Sequence, residues 1–329
     1  MFLASAMLRK RLGGRMREAV AVRAGKIQDV VELRESILVA RAPGTVRLRM
    51  LASTINPSDV VTVAGAYPSR TTFPFIAGFE GVGEVIDADH GAAVKLGSQV
   101  IPLRSAGCWA ELRDIAENDC VIVPDSLSPE QACFAFINPM TALGLIERHI
   151  RNSRPVVVTA AASAIADHIA AVLHSRGVPV IGVVRGPRPV RRPHLWNAVI
   201  DTGQTAWRNE LQLATKDCDI IFDAIGGPAA VAIANVVVAP NLVSYGLLSG
   251  WPIQSKLLPS ATLLNYFHLR ADVHSNSKST LEGRFERVFD LVQAGVLTTH
   301  VAKRFPFRDI RKALEWNANH PGKVMLEMG

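Results

Sequence analysis

Residues 56–83 decide how this chain is read: Asn56-Pro57-Ser58-Asp59, then Gly65-Ala66-Tyr67-Pro68, then Gly78-Phe79-Glu80-Gly81-Val82-Gly83. Asn56 suits an N-cap and Pro57 the first helical position, so a short helix is expected to begin there. Outward from this stretch, Arg17 to about Val123 reads as strands. Val46-Arg47-Leu48-Arg49-Met50 alternates, and Val82 to Ile86 and Gln99 to Leu103 are short apolar runs. Short strands separated by turn residues imply a compact β-rich domain. Asn56 and Phe79 carry neither thiolate nor imidazole, the groups a zinc site uses. Tyr67 offers a phenol as a proton donor.

The pattern changes near Pro129. Apolar spacing of three and four over 129–150 reads as a helix. Pro155 to Val158 reads as a short buried strand, and a helix is expected from about Ala164 to Arg176, with Gly177 as its C′ residue. Strands follow at Val180–Val184, Ala198–Ile200, Asp219–Asp223 and Leu242–Tyr245. Strands alternating with helices indicate a parallel sheet covered on both faces. The last segment holds a β-like stretch, a helix near Phe307–Asn319, a break at Pro321-Gly322 and a strand at Lys323–Met328. No internal repeat or low-complexity tract is present. The fold class expected is α/β. Residues 1–16 are read as a disordered extension, 17–128 as the β-rich domain, 129–296 as a doubly wound domain, and 297–329 as a return to the first.

The chain has 329 residues, enough for two domains. It is 49% hydrophobic and 20% charged, which argues against disorder. The net charge of +7 suits a phosphate-rich ligand as well as a plain basic surface. No basic run is interleaved with aromatics, so nucleic acid is not expected as a partner. No apolar run reaches the roughly 18 residues needed to span a bilayer, so no membrane partner is expected. Cys108, Cys120, Cys133 and Cys218 show no C-x-x-C spacing, and a reduced cytoplasmic protein is expected. Arg9, Lys10, Arg11 and Arg15 without an acid leave a mitochondrial targeting segment as the alternative. No histidine pair has metal-binding spacing at an evident site, and no Gly-x-Ser-x-Gly elbow supports a hydrolase.

The strand–turn–helix at Val156–Ala170 is where a dinucleotide fold holds its pyrophosphate. Here the turn reads Thr159-Ala160-Ala161-Ala162-Ser163-Ala164-Ile165-Ala166, without glycine. Ser163 and Ala164 are small, and the Ser163 hydroxyl could bond phosphate. A plain β–α crossover is the competing reading. Arg185 ends the second strand, where NAD-selective folds place an acid. A cation there would pair with the 2′-phosphate of NADPH. Arg188, Arg191 and Arg192 lie close in sequence, and a solvent-exposed basic loop is the alternative. Ile220 to Gly227 and Val243 to Gly250 are strands ending in glycine-containing turns, placing backbone at the sheet edge where ligands bind. Ordinary turn chemistry explains them equally.

Taken together, Asn56-Pro57-Ser58-Asp59, Gly65-x-Tyr67, Gly78-x-Glu80-Gly81-Val82-Gly83, Gly107-x-Trp109-Ala110, Asn138-Pro139-x-Thr141-Ala142, Val183-Val184-Arg185, Gly226-Gly227, Tyr245-Gly246 and Gly322-Lys323-Val324 resemble the zinc-free medium-chain dehydrogenases/reductases. Within them the chain resembles the 2-enoyl thioester reductases of the mitochondrial fatty-acid-synthesis type, with quinone oxidoreductases as close relatives. The resemblance covers about Arg17 to Gly329. It implies a GroES-like catalytic domain with a Rossmann domain inserted. It implies Tyr67 as the catalytic acid and Trp109 lining the substrate channel. The cofactor NADPH would be held by Asn56, Asn138, Thr141, Ala162, Ser163, Ala164, Ile165, Arg185, Ile225, Tyr245, Gly246, Leu247, Leu248 and Lys323. Zinc-dependent members carry Cys and His where this chain has Asn56 and Phe79, and Ile137 stands at their third ligand position, so no metal is expected. A homodimer is expected on the same ground. The chain departs from the family at the glycine-free turn, and at Ala271-Asp272-Val273, where the family has an aromatic segment beside the nicotinamide. Asp272 in an acyl channel would be unfavourable unless paired or turned to water.

The reaction this implies is reduction of the activated double bond of an enoyl-CoA or enoyl carrier-protein thioester, with hydride reaching the β-carbon and a proton the α-carbon. A phenol is protonated at neutral pH and so can donate. The rivals are a quinone or enone reductase, and a cofactor-poor relative that serves as a binding or scaffolding subunit.

Overall fold

The computed structural model describes residues 14–237 and 239–329. The extension expected at the N-terminus lies outside them up to residue 13. Arg15 and Met16, assigned to that extension by sequence, instead begin the first strand. The chain divides into two compact units. One takes the described residues through Phe136, together with Val273–Gln293 and Thr299–Gly329; the other takes Ile137–Asp272 and Ala294–Thr298.

The first unit opens with β1 (Arg15–Ala21), α1 (Ile27–Val30), β2 (Val31–Ile37), β3 (Thr45–Thr54), α2 (Pro57–Val63), β4 (Phe75–Ile76), β5 (Gly81–Asp87), β6 (Gln99–Pro102), β7 (Leu112–Ala116), β8 (Cys120–Ile122) and α3 (Pro129–Cys133). A three-stranded sheet has the order β2-β1-β4. The alternation seen in the sequence holds along β3, where Val46, Leu48, Met50 and Ala52 are buried. On the opposite register Arg47 and Ser53 are also buried, Arg47 at 3% exposure. Arg47 is tolerated because its guanidinium bonds both carboxylate oxygens of Asp114 on β7, each at 2.7 Å.

The single helix expected over 129–150 is two helices, α3 and α4 (Ile137–His149). Pro139 explains the break. Its ring would meet the carbonyl of Ala135, and it has no N–H to continue the ladder, so it is tolerated only near a helix start. Ser128 caps α3, accepting from the Gln131 N–H at 3.2 Å, and α3 packs on β3 and β5. The first unit therefore continues to Phe136, past the boundary expected at 128.

The second unit holds α4, β9 (Val156–Thr159), α5 (Ala164–Ser175), β10 (Val180–Val184), β11 (Ala198–Asp201), α6 (Trp207–Ala214), β12 (Ile220–Asp223), α7 (Gly227–Val237), β13 (Asn241–Ser244) and β14 (Leu263–Tyr266). Its six-stranded sheet has the order β11-β10-β9-β12-β13-β14. Every neighbouring pair is parallel. In the unit's own numbering this is 3-2-1-4-5-6, the doubly wound Rossmann order, and it reverses between β9 and β12. Val156, Val157 and Val158 are 0–1% exposed, as expected for a strand covered on both faces. The edge strand β14 escaped the sequence reading because Leu263 and Tyr266 point to solvent, at 67% and 56% exposure.

The chain then passes through α8 (Leu269–Ser275) to α9 (Lys278–Gln293), β15 (Val301–Pro306), α10 (Ile310–Asn319) and β16 (Lys323–Glu327). β16 pairs antiparallel with β3, placing Met325 against Thr54 and Leu326 against Ser53. This completes a seven-stranded sheet, β15-β16-β3-β5-β6-β8 with β7 on β3. The C-terminal strand thus carries Lys323 back to the end of β3, next to Asn56.

Candidate active site

In the second unit the carboxyl ends of β9, β10, β12 and β13 share one sheet edge, and the strand order reverses between β9 and β12. That edge is where open parallel sheets bind ligands. Ala162 to Ile165 follow β9, Arg185 follows β10, Ile225 follows β12, and Tyr245 to Leu248 follow β13. The predicted residues of these loops therefore lie along one edge. Asn138 and Thr141 lie instead on the first turns of α4, Asn138 half-buried and Thr141 buried.

The turn after β9 keeps a tight shape without glycine. Ala160 takes φ +52°, the left-handed region that alanine adopts at a cost of about 1 kcal/mol. The Ala161 N–H bonds the Val183 carbonyl at 3.0 Å, which holds the turn against β10. The room for Ala161 comes from the neighbouring strand: a Cβ on Gly182 would lie 2.8 Å from both Ala161 Cβ and Trp196 Cε3. Ser163 caps α5 by accepting the Ala166 N–H at 3.3 Å, so its hydroxyl is already used in part by the helix. The N–H groups of Ala162, Ala164 and Ile165 have no partner among the described residues. Three open donors at the start of a 12-residue helix are what a diphosphate needs.

Asp223 locks the adjacent loop. Its carboxylate accepts from Thr159 Oγ1 and the Gly226 N–H, both at 2.8 Å, and from the Ile225 N–H at 3.2 Å; Thr159 Oγ1 in turn accepts the Ala224 N–H at 2.9 Å. Burial raises the Asp223 carboxyl above its usual range, against these N–H and hydroxyl donors. The sequence reading missed both residues; their signal was the pair of strand-ending hydrogen-bonding side chains at the same level of adjacent strands. Next to them, the Tyr245 hydroxyl is buried with no partner among the described residues, and burial drives its phenol strongly toward the protonated form. An orphaned hydroxyl, open N–H groups and a strand reversal at one edge fit a dinucleotide.

Arg185 is exposed, and its guanidinium has no hydrogen-bond or ion-pair partner among the described residues. The neighbouring cations differ. Arg191 and Arg192 both pair with Asp167 on α5, Arg192 Nη2 at 2.8 Å, and they also donate to the Thr298 and Val296 carbonyls. They clamp a loop and do not extend the Arg185 patch. Asp201 at the end of β11 accepts the Gly186 N–H at 2.7 Å and so fixes the turn just after Arg185. Asp272 is 2% exposed and meets its expected condition, being paired with Arg148.

The first unit holds a second group of predicted residues. Asn56 is 1% exposed; its amide nitrogen donates to Glu80 Oε2 at 2.8 Å, and its oxygen accepts from Lys323 Nζ. Asp59 accepts the N–H groups of Asn56 at 2.7 Å and Phe79 at 3.0 Å. Burial raises the Asp59 carboxyl to about 7, against the two N–H bonds, with the Glu80 charge adding to the rise. Burial lowers the Lys323 ammonium, opposed by Glu80 and Asp59. These residues do not fit zinc. The Asn56 amide is spent on Glu80 and Lys323, and Phe79 and Ile137 have no donor atom.

Tyr67 stands apart from this network, in the loop after α2. Its ring is half-buried, its hydroxyl has no partner among the described residues, and the Arg70 guanidinium carbon lies 3.7 Å from the ring centroid. Trp109 corrects an expectation. It is fully buried in the core, with Nε1 donating to the Thr54 carbonyl at 3.0 Å. Gly78, at φ +89°, makes room for it, since a Cβ there would meet the indole at 2.3 Å. The indole is a packing element and has no free face for a channel.

The profile of the alcohol dehydrogenase GroES-like domain matches residues 42–136, and that of a zinc-binding dehydrogenase family matches residues 196–326. The chain belongs to the medium-chain dehydrogenase/reductase superfamily. It is 25% identical over 317 residues to the mitochondrial enoyl-[acyl-carrier-protein] reductase of Bos taurus, covering 92% of this chain and 85% of the relative. It is 26% identical over 300 residues to a quinone oxidoreductase of Pseudomonas aeruginosa, covering 87% and 91%. Among solved structures, a Bacillus thuringiensis protein provisionally assigned as an NADPH:quinone reductase superposes with a TM-score of 0.86 at 27% identity, covering 96% and 99%. The Etr1p complex with NADP and crotonyl-CoA has a TM-score of 0.80 at 18% identity, covering 95% and 99%, and so shares the fold.

Proposed function

We propose that this protein is an NADPH-dependent, zinc-independent oxidoreductase that reduces the activated double bond of a 2-enoyl-CoA or enoyl carrier-protein thioester. The observation that carries the cofactor choice is the unpaired Arg185 guanidinium at the carboxyl end of β10. An unpaired cation there favours a ribose 2′-phosphate, which NADPH has and NADH lacks. The enzyme class is supported by relatives named as enoyl reductases and a quinone oxidoreductase.

NADPH, when bound, supplies the hydride. Ala162, Ala164 and Ile165 would hold the diphosphate through their N–H groups, with Ser163 beside them. Ile225 and Tyr245 to Leu248 would line the cleft at the ends of β12 and β13. Asn138 and Thr141 on α4 are further proposed cofactor residues of the second unit, and Asn56 with Lys323 of the first. Tyr67 is the proposed proton donor to the α-carbon, because its hydroxyl is not engaged by the protein.

A quinone or enone reductase is the second reading. Ala271-Asp272-Val273 favours it, since Asp272 is held by Arg148 and no aromatic wall stands in that segment. The test is turnover with NADPH of crotonyl-CoA against 1,4-benzoquinone. Faster crotonyl-CoA turnover supports the thioester reading; quinone turnover at the same rate or above favours the second. Failure to bind either nicotinamide cofactor would support the scaffolding alternative. No helix among the described residues is long and apolar enough to cross a membrane. A cytoplasmic location, with mitochondria as the alternative, and a homodimer belong to the same proposal. The exposed Leu263 and Tyr266 on the open edge of β14 support a self-associating surface.

A further inference from the structure

Tyr67 and Arg70 lie three positions apart in the loop after α2, and the Arg70 N–H donates to the Tyr67 carbonyl at 3.2 Å. The guanidinium stacks on the phenol, its central carbon 3.7 Å from the ring centroid. Among the described residues it bonds to no carboxylate and no carbonyl, so stacking on Tyr67 is its one specific contact there. Most arginines of this unit are used otherwise: Arg47 holds Asp114, Arg104 holds Asp119 and Arg113 holds Ser105. Arg70 is exposed, so water screens its charge and the pull on the ring is of the modest size typical of a surface cation–π pair.

A cation over a neutral aromatic face is attracted modestly by the ring quadrupole. The attraction grows when the phenol loses its proton, because phenolate charge spreads into the ring carbons beneath the cation. We propose that Arg70 is a positioning residue for Tyr67: it holds the ring by stacking and stabilises the phenolate that forms as the proton leaves. The catalytic consequence rests on the reading of Tyr67 as the proton donor. In that step the electron pair at the enolate α-carbon forms a C–H bond with the Tyr67 proton. The O–H bond breaks and its pair stays on oxygen, leaving phenolate under the guanidinium. Water returns the proton afterwards. Arg70 keeps its proton throughout.

Two measurements test this. Tetranitromethane nitrates phenolates, so the rate at a given tyrosine reports how readily its phenolate forms. The chain has three tyrosines, and Tyr266 is 56% exposed and serves as an internal reference, while the Tyr245 hydroxyl is buried. Peptide mass spectrometry of the full chain should show the Tyr67-to-Tyr266 nitration ratio falling about 3–30-fold in Arg70→Gln and largely kept in Arg70→Lys. An unchanged or higher ratio in Arg70→Gln overturns the proposal, since it means that Arg70 only covers the ring. Second, Arg70→Gln should lower crotonyl-CoA turnover by a similar factor in the wild-type background and by little in the Tyr67→Phe background. Equal losses in both backgrounds also overturn it, because a loop-holding role does not need the hydroxyl. If Tyr67→Phe alone turns over at the wild-type rate, Tyr67 is not the donor, and the nitration ratio still decides whether Arg70 stabilises its phenolate.

Discussion

Lys323 on β16 donates to the amide oxygen of Asn56, which stands 267 positions earlier at the N-cap of α2. Both are buried, and the Asn56 nitrogen passes the contact on to Glu80. The ammonium is the cation within a group that also holds the Asp59 and Glu80 carboxyls. Removing it while leaving the acids buried should be costly. Lys323→Met is expected to destabilise the first unit by about 3–5 kcal/mol in urea unfolding. A loss near zero would mean that the acids are held neutral by other means.

Asp59 gives the stability a pH dependence. Its carboxyl is raised in the fold to about 7 from 3.8, mainly by burial. The folded state therefore binds more protons than the unfolded one between those values. The group's contribution to stability is fully present below about pH 4 and is lost as pH rises toward 7. The loss is on the order of 2–4 kcal/mol. Urea unfolding of wild type against Asp59→Asn at pH 5 and pH 8 should show the fall in wild type and a flatter response in the variant. Parallel curves would remove Asp59 as the source.

Ala160 at φ +52° predicts an asymmetric response to substitution. Ala160→Gly relieves the left-handed strain but frees the unfolded chain, and the two effects cancel to within about 1 kcal/mol. Ala160→Val places a β-branched side chain where it is least tolerated. It should cost about 2 kcal/mol and weaken NADPH. Thermal unfolding that ranks valine level with glycine would show that the turn does not hold this shape.

Tyr67→Phe keeps the ring and its stacking partner and removes only the hydroxyl. Crotonyl-CoA turnover should fall about 10²–10⁴-fold if that hydroxyl donates the proton. Benzoquinone turnover should fall much less, since a quinone oxygen can take its proton from water. Equal, small effects on both substrates would return Tyr67 to a packing role.

Much of the architecture was legible because it rests on local signals. The alternation of Val46 to Met50, the Asn56-Pro57 start of α2 and the apolar run at Val156 each fix one element by periodicity or capping. The break at Phe134–Phe136 was missed because Pro139 exerts its effect four residues upstream, where the apolar spacing continues undisturbed. β14 was missed because an edge strand can expose leucine and tyrosine. The position of a candidate residue was legible where it follows sheet order, as with Arg185 after β10. It was not legible where partners are far apart in sequence. Nothing local pairs Thr159 with Asp223, Asn56 with Lys323, or Ala161 with Gly182. Trp109 was misassigned because an indole in a loop motif reads alike whether it lines a channel or fills a core; the close approach of Gly78 decides it. Arg191 and Arg192 looked like extensions of Arg185, and only the position of Asp167 on α5 separates them.

The most direct test is a fluorescence titration of the purified protein with NADPH and with NADH, repeated for Arg185→Ala. The account predicts that wild type binds NADPH more tightly than NADH by about 10–100-fold, and that Arg185→Ala removes most of that difference by weakening NADPH alone. Equal weakening of both cofactors would take Arg185 out of the 2′-phosphate role. No binding of either would contradict the reductase account and leave the Rossmann unit without its proposed ligand.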